Sequence, residues 1–122
     1  MPENTETGGG TRFSAGKPQM WAAPWGGMIE VCRVSEYGAK KYAPLDWQIG
    51  QKFSTLLNSG MRHKIAAMAN PLSRDAESGL YHLGHDAWNT LALLHFIASG
   101  RADDLDDITP WIGLSTSMKG TR

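Results

Sequence analysis

The chain has 122 residues, a length typical of one domain, and its 12 basic side chains balance its 12 acidic ones. A formal net charge of zero supplies no overall field that would hold the chain on nucleic acid or on an anionic membrane. One cysteine excludes an intramolecular disulfide, and the longest apolar run (residues 91–98) is too short to cross a bilayer. Since no secretory signal begins the chain either, we expect a cytoplasmic protein.

The first part of the chain is poor in regular apolar spacing. Residues 1–11 contain three consecutive glycines, and ordering them would cost more entropy than burial could return, so we expect a disordered tail. Residues 12–27 combine prolines and glycines with Phe13, Trp21 and Trp25. This composition is not helical but is too aromatic to remain in water, and it predicts an N-terminal arm that folds over the core.

Three amphipathic helices follow the arm in chain order. Apolar residues at spacings of three and four predict the first helix over residues 28–42 and the second over residues 49–69. Each of these two ends near a residue that precedes a proline, a position that disfavours helical angles. The third is predicted over residues 78–99 and closes at Gly100. Its main apolar line contains Leu80, Leu83, Ala87, Leu91 and Leu94.

A C-terminal tail, residues 101–122, follows the third helix. Its residues 108–114 are predicted to form either a short helix or a segment that docks, for example on a partner subunit. An acidic run precedes them and is more typical of a solvated helix start than of a metal site. The run consists of Asp103, Asp104, Asp106 and Asp107.

The periodic segments predict an all-α fold, a helix bundle, because no segment alternates as a strand does. Three helices of this length can bury only a thin core, and the third helix carries apolar residues outside its main line. A second copy of the chain would cover those residues, so we expect a homodimer or a homotetramer. They are Trp88, Leu93, Phe96 and Ile97.

A polar stripe runs beside the main apolar line of the third helix. His82, His85, Asp86 and Asn89 follow spacings of three and four, so they can point inward together, although the same pattern fits a wet surface or a hydrogen-bonded interface. Carboxylates beside imidazole or amide groups suit Mg²⁺ or Mn²⁺, whereas zinc would want thiolates or a tighter histidine set. No CxxC or HExxH string occurs, so the sequence favours Mg²⁺ or Mn²⁺.

Separate predicted helices also offer both acidic and basic groups. Glu36 and Lys40 lie four residues apart, Glu77 lies at the start of the third helix where it also stabilises a helix N-terminus, and residues 62–64 are basic. Triphosphate hydrolysis needs bound cations to neutralise charge and activate water, and Lys and Arg to bind the remaining phosphate oxygens. No GxxxxGK[ST] string is present, so a Walker-type phosphate loop is excluded.

Several short motifs, read in order, resemble a known family. They are Gly10–Pro18, Glu36–Tyr42, Asp46-Trp47, Arg62-His63, Asp75–Gly79, His82 and His85. The set resembles the phage dATP/dGTP diphosphohydrolases, a branch of the MazG-like all-α nucleotide pyrophosphatases. The resemblance implies a MazG-like catalytic domain over residues 12–100 that hydrolyses purine deoxynucleoside triphosphates, dGTP or dATP, to the monophosphate and pyrophosphate, and that serves modified-purine metabolism in phages. The broader group holds its metals with EExxE and ExxD, and neither string occurs here.

Site roles follow from this resemblance together with the charge pattern. The residues expected to bind Mg²⁺ or Mn²⁺ are Glu36, Glu77, His82 and Asp86. Two histidines are expected to orient water or relay a proton, His63 and His85. The residues expected to bind substrate are Lys17, Lys40, Trp47, Arg62 and Asn89. Of these, Trp47 would either stack on the purine or anchor its loop.

Two other functions fit parts of the pattern. An HD-type phosphohydrolase, which would release triphosphate, uses His63, His85-Asp86 and Asp106 in this order, but such folds need more helices than this length provides. A non-catalytic helical interaction module would use the polar stripes as an interface and exposed tryptophans as anchors. Metal binding separates the interaction module from the enzymes, and the reaction products separate the two enzymes.

Overall fold

The structure, a computed structural model, describes residues 4–7, 10–13 and 15–112, with side chains described for 15–112. Helices dominate this part of the chain, which confirms the predicted all-α bundle. They are α1 (Trp25–Lys41), α2 (Phe53–Ala69), α3 (His82–Ala98) and the short α4 (Ala102–Leu105), with 3₁₀ turns at Met20–Ala22 and Asp46–Ile49. None of the described helices is long and apolar enough to span a membrane.

A two-stranded antiparallel hairpin precedes the helices, and the sequence did not predict it. Strand β1 (Asn4–Thr7) pairs with β2 (Gly10–Phe13), with Asn4 opposite Phe13 and Thr7 opposite Gly10. The hairpin overlaps the segment expected to be disordered, residues 1–11. Burial of apolar side chains is not the only contribution to order in this segment. The β-branched threonines favour extended backbone, and cross-strand pairing satisfies the backbone amides.

The helix ends are closer to the predictions than the helix starts. Helix α2 ends at Ala69 as expected, but it begins at Phe53 because the four residues before Gly50 form a 3₁₀ turn and Gly50 has a φ of 114°. Helix α1 begins at Trp25, directly after Pro24, and therefore includes two glycines that the sequence reading placed before it. Proline is a favourable residue at a helix start, and it outweighs the low helix propensity of those glycines.

The core lies mainly between α2 and α3. Leu56, with 1 % of its surface exposed, packs with Phe53 from α2 and with Phe96 from α3, and Leu105 of α4 closes the cluster. Helix α1 packs against α3 through Val34, where Gly84 lets the backbones approach: a Cβ at Gly84 would lie 3.6 Å from the Val34 side chain. These contacts position α1 and α2 on neighbouring sides of α3.

Helix α3 buries the apolar face opposite to the one predicted to face the core. Three of the four residues placed outside its main line pack inward, since Phe96 is buried and Trp88 and Leu93 lie against the core cluster, whereas Ile97 is 50 % exposed. The expected main line instead remains exposed, as at Leu91 and Leu94. Helix α2 shows the same division, because its remaining large apolar residues point to solvent. They are Leu57, Met61, Ile65 and Met68.

The described part of the C-terminal tail docks on its own chain. Leu105 enters the core, Asp106 accepts the amides of Ile108 and Thr109, and Asp107 accepts the backbone amide and hydroxyl of Ser54 at the start of α2. These bonds explain the acidic run as helix and turn caps. Docking of the last residues on a partner subunit falls on residues 113–122, outside the described residues.

The described part of the N-terminal arm does not cover the core. Trp21 is 80 % exposed and Met20 is 65 % exposed, although the Trp25 indole donates a hydrogen bond to the Met20 carbonyl at 2.9 Å. The expectation that these aromatic residues pack inward is therefore wrong for Trp21. Its indole nitrogen finds a local partner in the Gln19 side chain at 3.1 Å, so the ring gains a hydrogen bond without burial.

Candidate active site

The loop that joins α2 to α3 is closed by its own backbone. Within residues 70–81 the amide of Asp75 donates to the carbonyl of Leu80 at 2.8 Å. Gly79 has a φ of 74°, a left-handed conformation that glycine adopts without steric cost. The loop therefore turns back tightly and brings Asp75 to the start of α3.

Asp75 organises the turn that follows it. Its Oδ2 accepts the amides of Glu77 at 3.1 Å and Ser78 at 2.9 Å, an arrangement that aspartate favours in turns. The hydroxyl of Ser78 accepts the amide of Leu80 at 3.1 Å and shares a 2.7 Å hydrogen bond with Nε2 of His85. One turn thus connects a carboxylate to an imidazole of α3.

Three of the four histidines of the chain meet at this turn. His63 comes from α2, while His82 and His85 lie three residues apart on one face of α3. Nδ1 of His63 lies 2.9 Å from Nδ1 of His82, and the His63 ring stacks on His85 with ring centres 4.4 Å apart. We call His63, His82, His85 and Asp75 the histidine cluster. The fourth histidine, His95, is exposed and packs edge-on against Trp47.

Burial favours the neutral form of two of these imidazoles, those of His63 and His85. Burial lowers the pKa of His63, with a further decrease from the neighbouring His85, and burial also lowers the pKa of His85. Burial alone would raise the pKa of Asp75, but hydrogen bonds from Ser78 outweigh it, so the pKa of Asp75 is lowered. A neutral imidazole can bind a metal or accept a proton, and an ionised carboxylate can bind a cation.

Part of the cluster has the composition and spacing of a metal site. One ligand atom from each of His63, Asp75 and His82 lies within 4.8 Å of the others. Among residues 15–112, these form the one group of three such side chains that the fold brings together. His82 was expected as a ligand, His63 was expected to act on water, and Asp75 was not assigned a role.

A second charged group lies between α1 and the same loop. Lys41 forms a 2.6 Å ion pair with Glu77, which raises the pKa of Lys41 and lowers that of Glu77. The neighbouring Glu77 carboxylate also raises the pKa of Tyr37, and the Tyr37 ring lies edge-on to His85 at 6.2 Å. This contact places a lysine ammonium group next to the histidine cluster.

The sequence of the chain matches a known protein family. A family model described as dATP/dGTP diphosphohydrolase, N-terminal, matches residues 7–107. The chain belongs to this family. No curated protein and no solved structure matches it. The family's description names a diphosphohydrolase, so membership indicates an enzyme that acts on a purine deoxynucleotide. The matched residues include β2, the histidine cluster and α4, and therefore extend beyond residues 12–100 at both ends.

Within this family member, the carboxylates expected to bind metal are not brought together. Glu36 pairs with Lys40 on the exposed surface of α1 at 3.7 Å, and Glu77 pairs with Lys41. Asp86 pairs with Lys64 at 2.9 Å. Each of these expected ligands has a lysine from α1 or α2 as its neighbour, because helix spacing or helix packing brings opposite charges into contact.

The expected substrate residues are also distributed over several surfaces. Lys17 is exposed in the arm, and Arg62 is exposed on α2 directly before His63. Trp47 packs on Phe96 with ring centres 6.0 Å apart and therefore anchors its loop, the second of its two expected roles. Asn89 is buried and donates to the carbonyl of His85 at 2.8 Å.

The set required for an HD-type site is not assembled in the described residues. His63 and His85 stack on each other, but Asp86 is paired with Lys64 and Asp106 caps the turn after α4. The loop between α2 and α3 instead contributes Asp75 as the carboxylate near these histidines. The sequence signal that could have indicated this residue is the string Asp75-Ala76-Glu77-Ser78, because aspartate in a turn commonly binds the amides that follow it.

Proposed function

We propose that the protein is a metal-dependent pyrophosphohydrolase that converts a purine deoxynucleoside triphosphate, dGTP or dATP, to the monophosphate and pyrophosphate. One observation carries the proposal: the histidine cluster joins two imidazoles and a carboxylate within metal-binding distance in a member of this family. The resemblance of its motifs further supports a role in supplying nucleotides for modified purines in phages.

The charges around the cluster suit a polyphosphate. Arg62 precedes His63 and is close enough to lower its pKa, Arg74 precedes Asp75, and Lys41 reaches the loop from α1. A nucleoside triphosphate carries about four negative charges that such side chains and a cation neutralise together. We propose Lys41 for this phosphate-binding role instead of its neighbour Lys40, which pairs with Glu36 on the exposed surface of α1.

The donors fit a divalent cation. His63 from α2, Asp75 from the loop and His82 from α3 would hold this cation. The ion expected from the sequence is Mg²⁺ or Mn²⁺. Such an ion, when bound, supplies positive charge for the phosphates and makes water a stronger nucleophile near neutral pH.

His85 is the residue we propose as the proton acceptor. Its imidazole is buried, its pKa is lowered, and its Nε2 is bound to the Ser78 hydroxyl, which fixes the ring orientation. Water would form a bond to the α-phosphorus, the bridging bond from that phosphorus to the leaving pyrophosphate would break, and the water proton would pass to His85. Lys41 and Arg62 would then stabilise the negative charge on the pyrophosphate.

Purine recognition would involve aromatic side chains outside the core. Trp47 is occupied by packing against Phe96, whereas Trp21 and Trp25 are exposed next to α1. A base held between these arm tryptophans would disfavour the smaller pyrimidines, because a larger ring system gives more stacking area.

We also propose that the protein is a homodimer or a homotetramer. Eighteen large apolar side chains are exposed among the residues with described side chains, including continuous rows on α2 and α3. A monomer rarely leaves so much apolar surface in water, and symmetric association is the commonest way to bury it.

The deciding experiment incubates the purified protein with each deoxynucleoside triphosphate in Mg²⁺ or Mn²⁺ and separates the products by ion exchange. We expect dGMP or dAMP and pyrophosphate from the purine substrates, and loss of turnover after chelation. His63→Asn and His82→Asn should be inactive while the exposed His95→Asn stays active. Release of triphosphate would indicate HD-type chemistry, and no turnover with any nucleotide would favour an interaction module.

A further inference from the structure

We propose that His63, Asp75 and His82 form a site that selects a first-row transition metal, such as Mn²⁺ or Co²⁺, over Mg²⁺. The inference deepens the proposed function, on which its catalytic meaning rests, by naming the class of ion that this site takes. It is carried by the donor atoms and their separation, which can be tested without turnover.

The donor atoms themselves favour such an ion. Two of the three candidate ligands are imidazole nitrogens and one is a carboxylate oxygen. Mg²⁺ binds oxygen ligands almost exclusively and keeps several waters, whereas imidazole nitrogen suits later first-row ions such as Fe²⁺, Co²⁺ and Zn²⁺, and affinity for a mixed nitrogen and oxygen site rises from Mn²⁺ through Fe²⁺ to Co²⁺. The set expected from the sequence, Glu36, Glu77, His82 and Asp86, contains three carboxylates and one imidazole and therefore favours Mg²⁺ more than the observed set does.

The separation of the two imidazoles agrees with shared coordination. Nδ1 of His63 and Nδ1 of His82 are 2.9 Å apart. Two nitrogens that bind one ion at about 2.1 Å and at right angles lie about 3 Å apart. The same 2.9 Å also permits a hydrogen bond between one protonated and one bare nitrogen, so metal binding would require the donor ring to carry its proton on Nε2 and to leave Nδ1 bare.

The neighbouring groups leave this set of three open to water or phosphate. His85 stacks on His63, but its Nε2 is bound to Ser78 at 2.7 Å. Oδ2 of Asp75 accepts two backbone amides, and an ionised carboxylate retains further lone pairs for a cation. Three protein ligands leave open positions, as catalytic metal sites require.

The test measures metal binding to the whole protein without nucleotide. Calorimetry should show Mn²⁺ binding about tenfold or more tightly than Mg²⁺, and pulsed electron paramagnetic resonance of the Mn²⁺ complex should show coupling to nitrogen nuclei. His63→Asn and His82→Asn should each weaken Mn²⁺ binding by about tenfold or more and reduce the nitrogen coupling. The matched control is His95→Asn, which alters an exposed histidine of α3 outside the cluster and should bind Mn²⁺ as the wild type does.

Each outcome has a separate meaning for the two proposals. Equal affinity for Mg²⁺ and Mn²⁺, or Mn²⁺ bound without nitrogen coupling in the wild-type protein, would overturn the site, and the wild-type spectrum needs no variant to fold. Turnover of dGTP together with either result would leave the proposed function standing. Nitrogen-coupled Mn²⁺ without turnover of any nucleotide would support the site and overturn the proposed function.

Discussion

Gly60 lies where α2 closely approaches α3, and a larger side chain at this position tests how the fold positions the histidine cluster. A Cβ at this position would lie 3.3 Å from Cβ of Asn89 and 3.5 Å from Oδ1 of Asp86. Leucine in place of glycine gains about 1 kcal/mol in helix propensity, but overpacking a closed interface costs about 1–3 kcal/mol. Leucine adds atoms beyond a Cβ that already lies 3.3 Å from Asn89, so the upper half of this cost, about 2–3 kcal/mol, applies, and we expect Gly60→Leu to lower the free energy of unfolding by roughly 1–2 kcal/mol.

This loss corresponds to a lower melting temperature by about 4–8 °C, since a domain of this size loses about 4 °C for each kcal/mol. Calorimetric or circular-dichroism melting measures it directly. His63 lies one helical turn after Gly60, so a displaced α2 should also separate His63 from His82 and weaken Mn²⁺ binding. Both effects come from the same helix movement.

The matched control is Gly38→Leu, because a Cβ at this helical glycine of α1 would meet no atom within 4 Å. This variant should keep or raise the melting temperature, by the same gain in helix propensity of about 1 kcal/mol. If Gly60→Leu melts at or above the wild-type temperature and binds Mn²⁺ normally, the close contact between α2 and α3 does not control the site.

Three further predictions concern the site, the pH dependence and the assembly. Ser78→Ala removes the hydrogen-bond partner of His85 and should lower kcat by about tenfold or more while KM changes little. Ser78→Thr should restore part of the activity. An unchanged kcat in Ser78→Ala contradicts a positioning role. Asp107 has a lowered pKa because the Ser54 hydroxyl and amide donate to it, so its stabilisation is present above about pH 4 and is lost as pH falls. Asp107→Asn should therefore unfold at lower urea concentration than the wild type at pH 7, by a difference that shrinks as pH falls below about 4, and an equal difference at pH 7 and pH 3 argues against this role. Leu94→Glu should shift the mass measured by light scattering toward 13.3 kDa while Leu94→Met does not; a wild-type mass of 13.3 kDa would rule out the oligomer.

The ends of the long helices could be predicted because local chemistry determines them. Helix α2 ends before Pro71 and α3 ends just before Gly100, as the propensities of these residues indicate. The start of α3 could not, because Asp75 binds the amides of two following residues and holds them in a turn. Such side-chain bonds compete with helix formation, and the helical spacing of apolar residues does not reveal which arrangement prevails.

The members of the site could be predicted only in part. His82 and His85 share a face of α3, so their proximity follows from helical spacing alone. That His63 meets them, and that Asp75 joins from the loop, depends on how α2 packs on α3 and how the loop closes. Glu36 and Asp86 were sound candidates by residue type, but each lies beside a lysine in the folded chain.

By itself, the sequence determined that three amphipathic helices form and that α3 carries two apolar rows, since both follow from residue spacing. Only the tertiary structure decided which row is buried. Phe96 packs against Phe53 and Leu56, and Trp88 donates its indole hydrogen to Ser35 of α1 at 2.8 Å, so the aromatic row faces the neighbouring helices. The row containing Leu94 remains on the outside, because the larger rings fill the space between helices and a helix can turn only one row toward them.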